Sequence, residues 1–209
     1  DGPDCDQDGI CDESDPDGCP DCNNNGVPDA TEILNNPLID CNQNGGIDSC
    51  ESIAPGTTFW FNAVGGNYNV ATNWCPSVEP SASNSLAFRL AATYSVSFQT
   101  SKTNRSISVP RGDVSFHLNG KSLSILGSGG QGLAVGTQNG ESAALSLENG
   151  LVGSLGGSWE VKVGAVPNSE GSLVVSGGTT AVSGMGSTCI GCFGHGSMAL
   201  LGGAHYQSL

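Results

Sequence analysis

The chain has 209 residues and a formal net charge of −14, with 32 glycines, three tryptophans and only six Lys and Arg. That balance excludes nucleic acid and anionic membrane surfaces as electrostatic partners, and the glycine content argues for turns and strands over helices. The charge is also local. Fourteen of the 20 acidic residues lie between Asp1 and Glu51, where no Lys or Arg occurs, and the six acids that follow are matched by six bases.

The acidic segment, residues 1–54, carries a threefold pattern. Calcium takes six to eight hard oxygen ligands from a short loop. Acids or amides at alternate positions supply them, a glycine at the sixth allows a sharp turn, the seventh gives a backbone carbonyl and a carboxylate closes the loop at the twelfth. DCDQDGICDESD offers Asp4, Asp6, Asp8, the carbonyl of Ile10, Asp12 and Asp15. DCNNNGVPDATE offers Asp21, Asn23, Asn25, the carbonyl of Val27, Asp29 and Glu32. DCNQNGGIDSCE offers Asp40, Asn42, Asn44, the carbonyl of Gly46, Asp48 and Glu51. The spacing predicts about three calcium ions, one per loop. A solvated acidic linker does not explain why Gly9, Gly26 and Gly45 keep one place relative to the acids.

The flanks exclude a calcium sensor built on two long helices. Only ATEILNN after the second loop can make a turn or two of helix, and Pro37 stops it. Six of the nine cysteines, Cys5, Cys11, Cys19, Cys22, Cys41 and Cys50, crowd into this segment. That density points to disulfides in an oxidising compartment, with the pairing left open. Cys75 stands alone. Apolar residues are too few for a core, so the segment is expected to fold only with metal and disulfides.

On these residues the segment resembles thrombospondin type 3 calcium repeats and dockerin-type loops, in the style of calcium repeats found in planctomycete surface proteins. The resemblance covers about 50 residues and implies calcium at the positions named above.

Residues 55–209 change chemistry. TTFWFN, SLAFRL, TYSVSFQT, SISV, DVSFHL and SLSIL are short runs with apolar residues mostly at alternate positions, separated by Gly, Asn, Pro or Ser. Gly136, Gly164 and Gly191 each follow an apolar residue, 28 and 27 residues apart. A second glycine follows each (Gly140, Gly171, Gly196), then a strand, then a closing glycine (Gly150, Gly177, Gly202). A fixed period of that size means one stacked unit per repeat. About three short strands per repeat predict an all-β fold, a right-handed parallel β-helix with Val, Leu and Ile inside and glycines at corners. A β-sandwich would not need the period. The body resembles the β-helical passenger repeats of autotransporters and related bacterial surface proteins, with FWFNAVGGNYNVATNW as an opening of that kind.

Other chemistry-bearing residues are weaker. Cys189, Cys192 and His195 form C-x-x-C-x-x-H, which reads as a structural disulfide in a glycine-rich turn, since no fourth metal ligand accompanies it. Trp60 and Trp74 read as the cap of a solenoid end before they read as a sugar-stacking pair. The acids of the body, Glu79, Asp113, Glu141, Glu148, Glu160 and Glu170, are scattered, and His117 and His205 have no acidic partner evident in sequence. No enzyme is therefore expected. Arg111-Gly112-Asp113 is taken as a chance tripeptide.

No leader peptide and no membrane span is read from the sequence. The chain begins in mid-motif and ends in mid-pattern, as a mature or partial piece of a longer exported protein. The expected function is an extracellular, cell-surface structural or adhesive protein that self-associates, as a filament subunit for instance, or binds another surface protein. The alternative is a docking or glycan-binding module of a polysaccharide-degrading system.

Overall fold

The computed structural model describes residues 20–40, 45–47, 50, 56–127, 130–154, 159–177, 181–184 and 187–208. The chain divides into two compact units, Asp1–Ala54 and Pro55–Leu209.

The larger unit is a parallel β-solenoid. Its first coil holds β1 (Thr57–Trp60), β2 (Gly66–Asn67) and β3 (Trp74–Cys75). The second holds β4 (Ser85–Ala87), β5 (Thr93–Ser97) and β6 (Lys102–Asn104), and the third holds β7 (Ser106–Val109), β8 (Gly112–His117) and β9 (Ser122–Ile125). Then come β10 (Gly130–Val135), β11 (Ser142–Glu148) and β12 (Leu151–Ser154), followed by β13 (Trp159–Val163), β14 (Glu170–Ser176) and β15 (Ala181–Gly184). The last described coil holds β16 (Thr188–Ile190), β17 (His195–Leu200) and β18 (His205–Ser208). From β4 onward every third strand joins the same sheet, which gives three sheets. Sheet A is β16-β13-β10-β7-β4-β1-β3, sheet B is β17-β14-β11-β8-β5-β2 and sheet C is β18-β15-β12-β9-β6. All these pairings are parallel except β1 with β3, where Phe59 faces Cys75 and Trp60 faces Trp74. The reversed strand lies at the outer edge of sheet A, beyond β1.

The alternation in the sequence becomes inner and outer faces. In β11 and β14, Leu145, Leu147, Leu173 and Val175 are buried while their neighbours face outward. Register stacks the inner residues into ladders: Leu86, Ile107, Leu133 and Val161 in sheet A, and Tyr94, Val114, Leu145, Leu173 and Met198 in sheet B. Each rung buries the apolar face that its neighbour cannot bury alone.

The first three coils are filled with rings. Trp60 and Trp74 meet edge to face at 5.0 Å, Tyr68 lies 4.9 Å from Trp74 and from Phe98, and Phe88 lies 4.9 Å from Phe116. Both indole N–H groups are satisfied, Trp60 by the carbonyl of Asn62 and Trp74 by that of Tyr68. Both tryptophans are almost wholly buried, so they seal the early coils and offer no ring face to a sugar.

Two phenols in this cluster differ. Tyr68 donates to buried Asn104, which donates in turn to the carbonyl of Ser81. The Tyr94 hydroxyl is buried with no hydrogen-bond partner. Removing a hydroxyl that has lost its water and gained nothing should be free. Tyr94→Phe should leave stability unchanged or raise it by up to about 1 kcal/mol, whereas Tyr68→Phe should cost about 1–2 kcal/mol, as read in urea melts. Burial pushes both phenols well above their ordinary range. A raised folded value stabilises the protein fully below the unfolded value near pH 10 and loses that contribution above it, so unfolding should set in on the alkaline side.

Corners correct part of the sequence reading. Gly136, Gly164 and Gly191 all have positive φ and all end sheet A strands, as their spacing suggested. The other two glycine rows are not equivalent positions. Gly171 pairs with Ala143 and Gly196 inside sheet B, while Gly140 is a turn residue whose counterpart one coil on is Asn168. Likewise Glu148 pairs with Ser176, which aligns Gly177 with Asn149 and not with Gly150. Asn119, Asn149 and Asn168 take the left-handed conformation because a short amide side chain tolerates it better than most.

Candidate metal centre

The second loop lies wholly within the described residues. Asp21 opens it, and both its carboxylate oxygens accept backbone N–H groups, from Asn25 at 3.1 Å and Gly26 at 2.8 Å. These bonds wrap the chain around the carboxylate. The wrap needs two left-handed residues, Asn24 and Gly26; a Cβ at Gly26 would meet nothing within 4 Å, so the glycine serves conformation and not space. Oδ1 of Asn23 and Oδ1 of Asn25 each accept an N–H two residues on, from Asn25 and Val27.

A short helix, α1 (Asp29–Asn35), follows, and a 3₁₀ turn, Pro37–Ile39, follows that. The helix supplies the last two acids. Asp29 and Glu32 are three residues apart and so share one side of its first turn. Asp29 is buried and accepts the N–H of Cys22 at 3.0 Å. Its own N–H donates to the carbonyl of Pro20 at 2.7 Å, which anchors the far end of the loop to its beginning.

The result is a cluster in which carboxylate oxygens of Asp21, Asp29 and Glu32 lie within 4.8 Å of one another. No lysine or arginine occurs anywhere in residues 1–54 to balance it. The two amides lean on the closing acid, with Nδ2 of Asn23 at 3.1 Å and Nδ2 of Asn25 at 2.8 Å from the oxygens of Glu32. The donor set is carboxylate, amide and backbone oxygen, with Cys22 committed to a disulfide with Cys50. Hard oxygens of this kind suit calcium and do not suit a soft metal.

The third loop repeats the opening. Asp40 is buried, and its Oδ2 accepts the N–H of Gly45 at 3.0 Å with Gly45 at positive φ. This is the same first-to-sixth bond as Asp21 to Gly26. Gly46, the carbonyl position, is half-buried. Asn42, Asn44, Asp48 and Glu51 lie outside the described residues, as does the whole first loop with Asp4, Asp6, Asp8, Ile10, Asp12 and Asp15.

Elsewhere the structure settles several secondary readings. Cys189 and Cys192 form a disulfide with each other, so the C-x-x-C-x-x-H pattern has no thiolate to give a metal. Cys75 is disulfide-bonded too, which corrects the expectation that it stands alone. Arg111-Gly112-Asp113 enters strand β8 as part of a coil; Nε of Arg111 donates to the carbonyl of Arg89. His117 does have an acidic partner. Its Nδ1 lies 2.9 Å from Oε2 of Glu148, because the β8–β11 register sets these two residues side by side. Sequence could have shown this only through the coil register, since 31 positions separate them. Asp113, Glu170 and His195 line a shallow groove of about 360 Å³ on sheet B, together with Ala143, Ala144 and Gly171. The body's acids are thus less scattered than their spacing suggests.

Comparison with protein-family models, with curated proteins and with solved structures finds no match. The likeness to thrombospondin type 3, dockerin and autotransporter repeats therefore rests on the loop motif and on the coil pattern alone. Among the described residues no helix is long and apolar enough to cross a membrane.

Proposed function

We propose that this protein is a calcium-stabilised structural or adhesive element of an extracellular surface, in which metal-hardened loops precede a β-solenoid. One observation carries the reading: three carboxylates within 4.8 Å, flanked by two asparagine amides, in a segment without a single cationic side chain. Like charges so close are costly unless a cation joins them. The amide Nδ2 groups of Asn23 and Asn25 give Glu32 only partial compensation, and a divalent ion takes over that role. Asp21, Asn23, Asn25, Asp29 and Glu32 hold it with their side chains and Val27 with its carbonyl.

The solenoid supports the structural half of the proposal. Its outer faces are rich in Ser, and its strength runs along the stack of coils. Parallel edges of this kind accept a further coil in the same register, from the same polypeptide or from another copy, and self-association into filaments follows that geometry. We place the protein outside the cell because its cysteines are used as disulfides. No catalytic role is proposed.

Calorimetric titration with calcium tests the metal. The oxidised chain should take up calcium with release of heat at about three sites, and Glu32→Gln should weaken one of them at least about ten-fold by removing a charged closing ligand. Absence of any calcium binding to the wild-type chain overturns the proposal.

A second reading has its own observation. A groove of about 400 Å³ on sheet A is lined by Thr57, Ser85, Ser106, Ser108, Glu160 and Lys162 together with apolar residues such as Ala87 and Ala134. Hydroxyls and an acid–base pair in an open trough suit an extended polysaccharide, as a glycan-binding or docking module would require. Electron microscopy and a glycan pull-down separate the two: filaments favour the structural element, and discrete particles that retain glycan favour the module.

A further inference from the structure

We infer that Lys102 and Asn69 become joined by an intramolecular amide bond, with Glu79 as the acid–base group that forms it. The bond ties the first coil of the solenoid to the second. It is independent of the calcium reading of residues 1–54.

The basis is one shared oxygen. Oε1 of Glu79 accepts from Nζ of Lys102 and, at 3.1 Å, from Nδ2 of Asn69. Two nitrogens on one acceptor lie at most about 6 Å apart, the length of two hydrogen bonds end to end. The three residues come from separate stretches of chain: Asn69 follows β2, Glu79 lies between β3 and β4, and Lys102 opens β6. Stacking of the coils brings them together, and other contacts hold each in place. The Asn69 backbone N–H donates to Oδ1 of Asn67 at 2.8 Å, and its Nδ2 also donates to Oγ1 of Thr100 at 3.0 Å. Its Oδ1 accepts the N–H of Gln99 at 3.4 Å. Nζ of Lys102 lies 5.4 Å from the centre of the buried Tyr68 ring, and the lysine side chain is only 14% exposed. An ordinary ion pair needs no amide beside it. Lys162 with Glu160 is such a pair: it is more open, and the further partner of Glu160 is the Ser187 hydroxyl.

The chemistry balances without an oxidant or a cofactor. Glu79 takes a proton from the Lys102 ammonium across their hydrogen bond, a transfer that low solvent exposure favours because it turns two charges into two neutral groups. The freed amine Nζ attacks Cγ of Asn69. Negative charge grows on Oδ1, where the Gln99 N–H already points. Glu79 then returns its proton to Nδ2, the nitrogen its oxygen already touches. The Nζ–Cγ bond forms, the Cγ–Nδ2 bond breaks, and the released ammonia carries off the second lysine proton as ammonium. Glu79 ends as the carboxylate it began as. Its side chain is 39% exposed, so the product has a path to water.

Mass spectrometry of the full chain tests this. The chain is reduced and alkylated first, so that disulfides do not enter the mass. Wild type should weigh about 17 Da less than its sequence, the mass of one ammonia, and a linked peptide pair should carry Asn69 and Lys102. Glu79→Gln keeps the shape but cannot carry the proton, and it should show the full mass of its own sequence, as should Asn69→Ala. Lys162→Arg should keep the deficit. Should Glu79→Gln fail to fold, the linked peptide in wild type decides alone. A wild-type chain at full sequence mass overturns the inference. So does a deficit of about 18 Da with Lys102 joined to Glu79, since that bond forms by loss of water from the acid itself. A folded Glu79→Gln that still lacks the ammonia overturns the role of Glu79.

Discussion

Gly164→Ala should lower the stability of the solenoid by about 3–5 kcal/mol, from the left-handed penalty and from overpacking together. Gly164 sits at the corner after β13 with φ +68°. A Cβ there would lie 2.4 Å from the carbonyl oxygen of His195 and 2.6 Å from its carbon. Those are backbone atoms of the next coil, so no rotamer change relieves the overlap and two coils must separate. The corner is also bonded on both sides: its N–H donates to Val135, and its carbonyl accepts from Gly194 at 3.1 Å. Gly140→Ala is the control. Its φ is +76°, but a Cβ would meet nothing within 4 Å, and the equivalent residue one coil on is already Asn168. It should cost only the conformational penalty, about 1–2 kcal/mol. Equal midpoints for the two variants in denaturant melts would show that close approach between coils is not what selects Gly164.

Chelating calcium should abolish the protease resistance of residues 1–54 and leave residues 55–209 resistant. The apolar effect cannot hold the first unit. Among its described residues Ile47 is the one buried hydrophobic side chain, while Leu34 is 81% exposed. The Cys22–Cys50 link adds about 3–4 kcal/mol by closing its loop. Against that stand repulsions of about 1–3.5 kcal/mol for each carboxylate pair at 4.8 Å, between the limits of bulk water and a protein surface. Three such pairs in loop two sum to about 3–10 kcal/mol, which matches or exceeds the covalent contribution. A divalent ion bound among the three carboxylates would reverse the sign of these contributions. Limited proteolysis with a protease of broad specificity, followed by mass mapping, reads the result, and cleavage that ignores the chelator would count against metal-dependent folding.

The solenoid was legible because its cause is periodic. Every run picked out by alternation, from TTFWFN to SLSIL, contains a strand, and the glycines at 136, 164 and 191 mark three successive corners. The two-residue strands β2 and β3 escaped notice, since no alternation can show in two residues. Corners held by Asn149 and Asn168 also escaped, because asparagine in a polar stretch reads as a loop residue unless its φ is known. The pairing of His117 with Glu148 depends on register across coils, which spacing alone leaves open. In the candidate metal centre the grouping of Asp21, Asp29 and Glu32 was visible from loop spacing. What the sequence could not show was the second layer: Cys22 holding Asp29, and the choice of Cys50 as its disulfide partner from fifteen ways of joining six cysteines.

Coil length varies while the ladders stay in register. Leu86 stacks on Ile107 after 21 residues, and Leu133 stacks on Val161 after 28. Most of the difference lies in the strands, β11 running seven residues where β5 runs five, and the rest in the bends between them, such as the one joining β10 to β11. Foreign peptides spliced into those bends would leave the stacked interior untouched, which makes the solenoid a ready display scaffold with attachment points about 4.8 Å apart from one coil to the next.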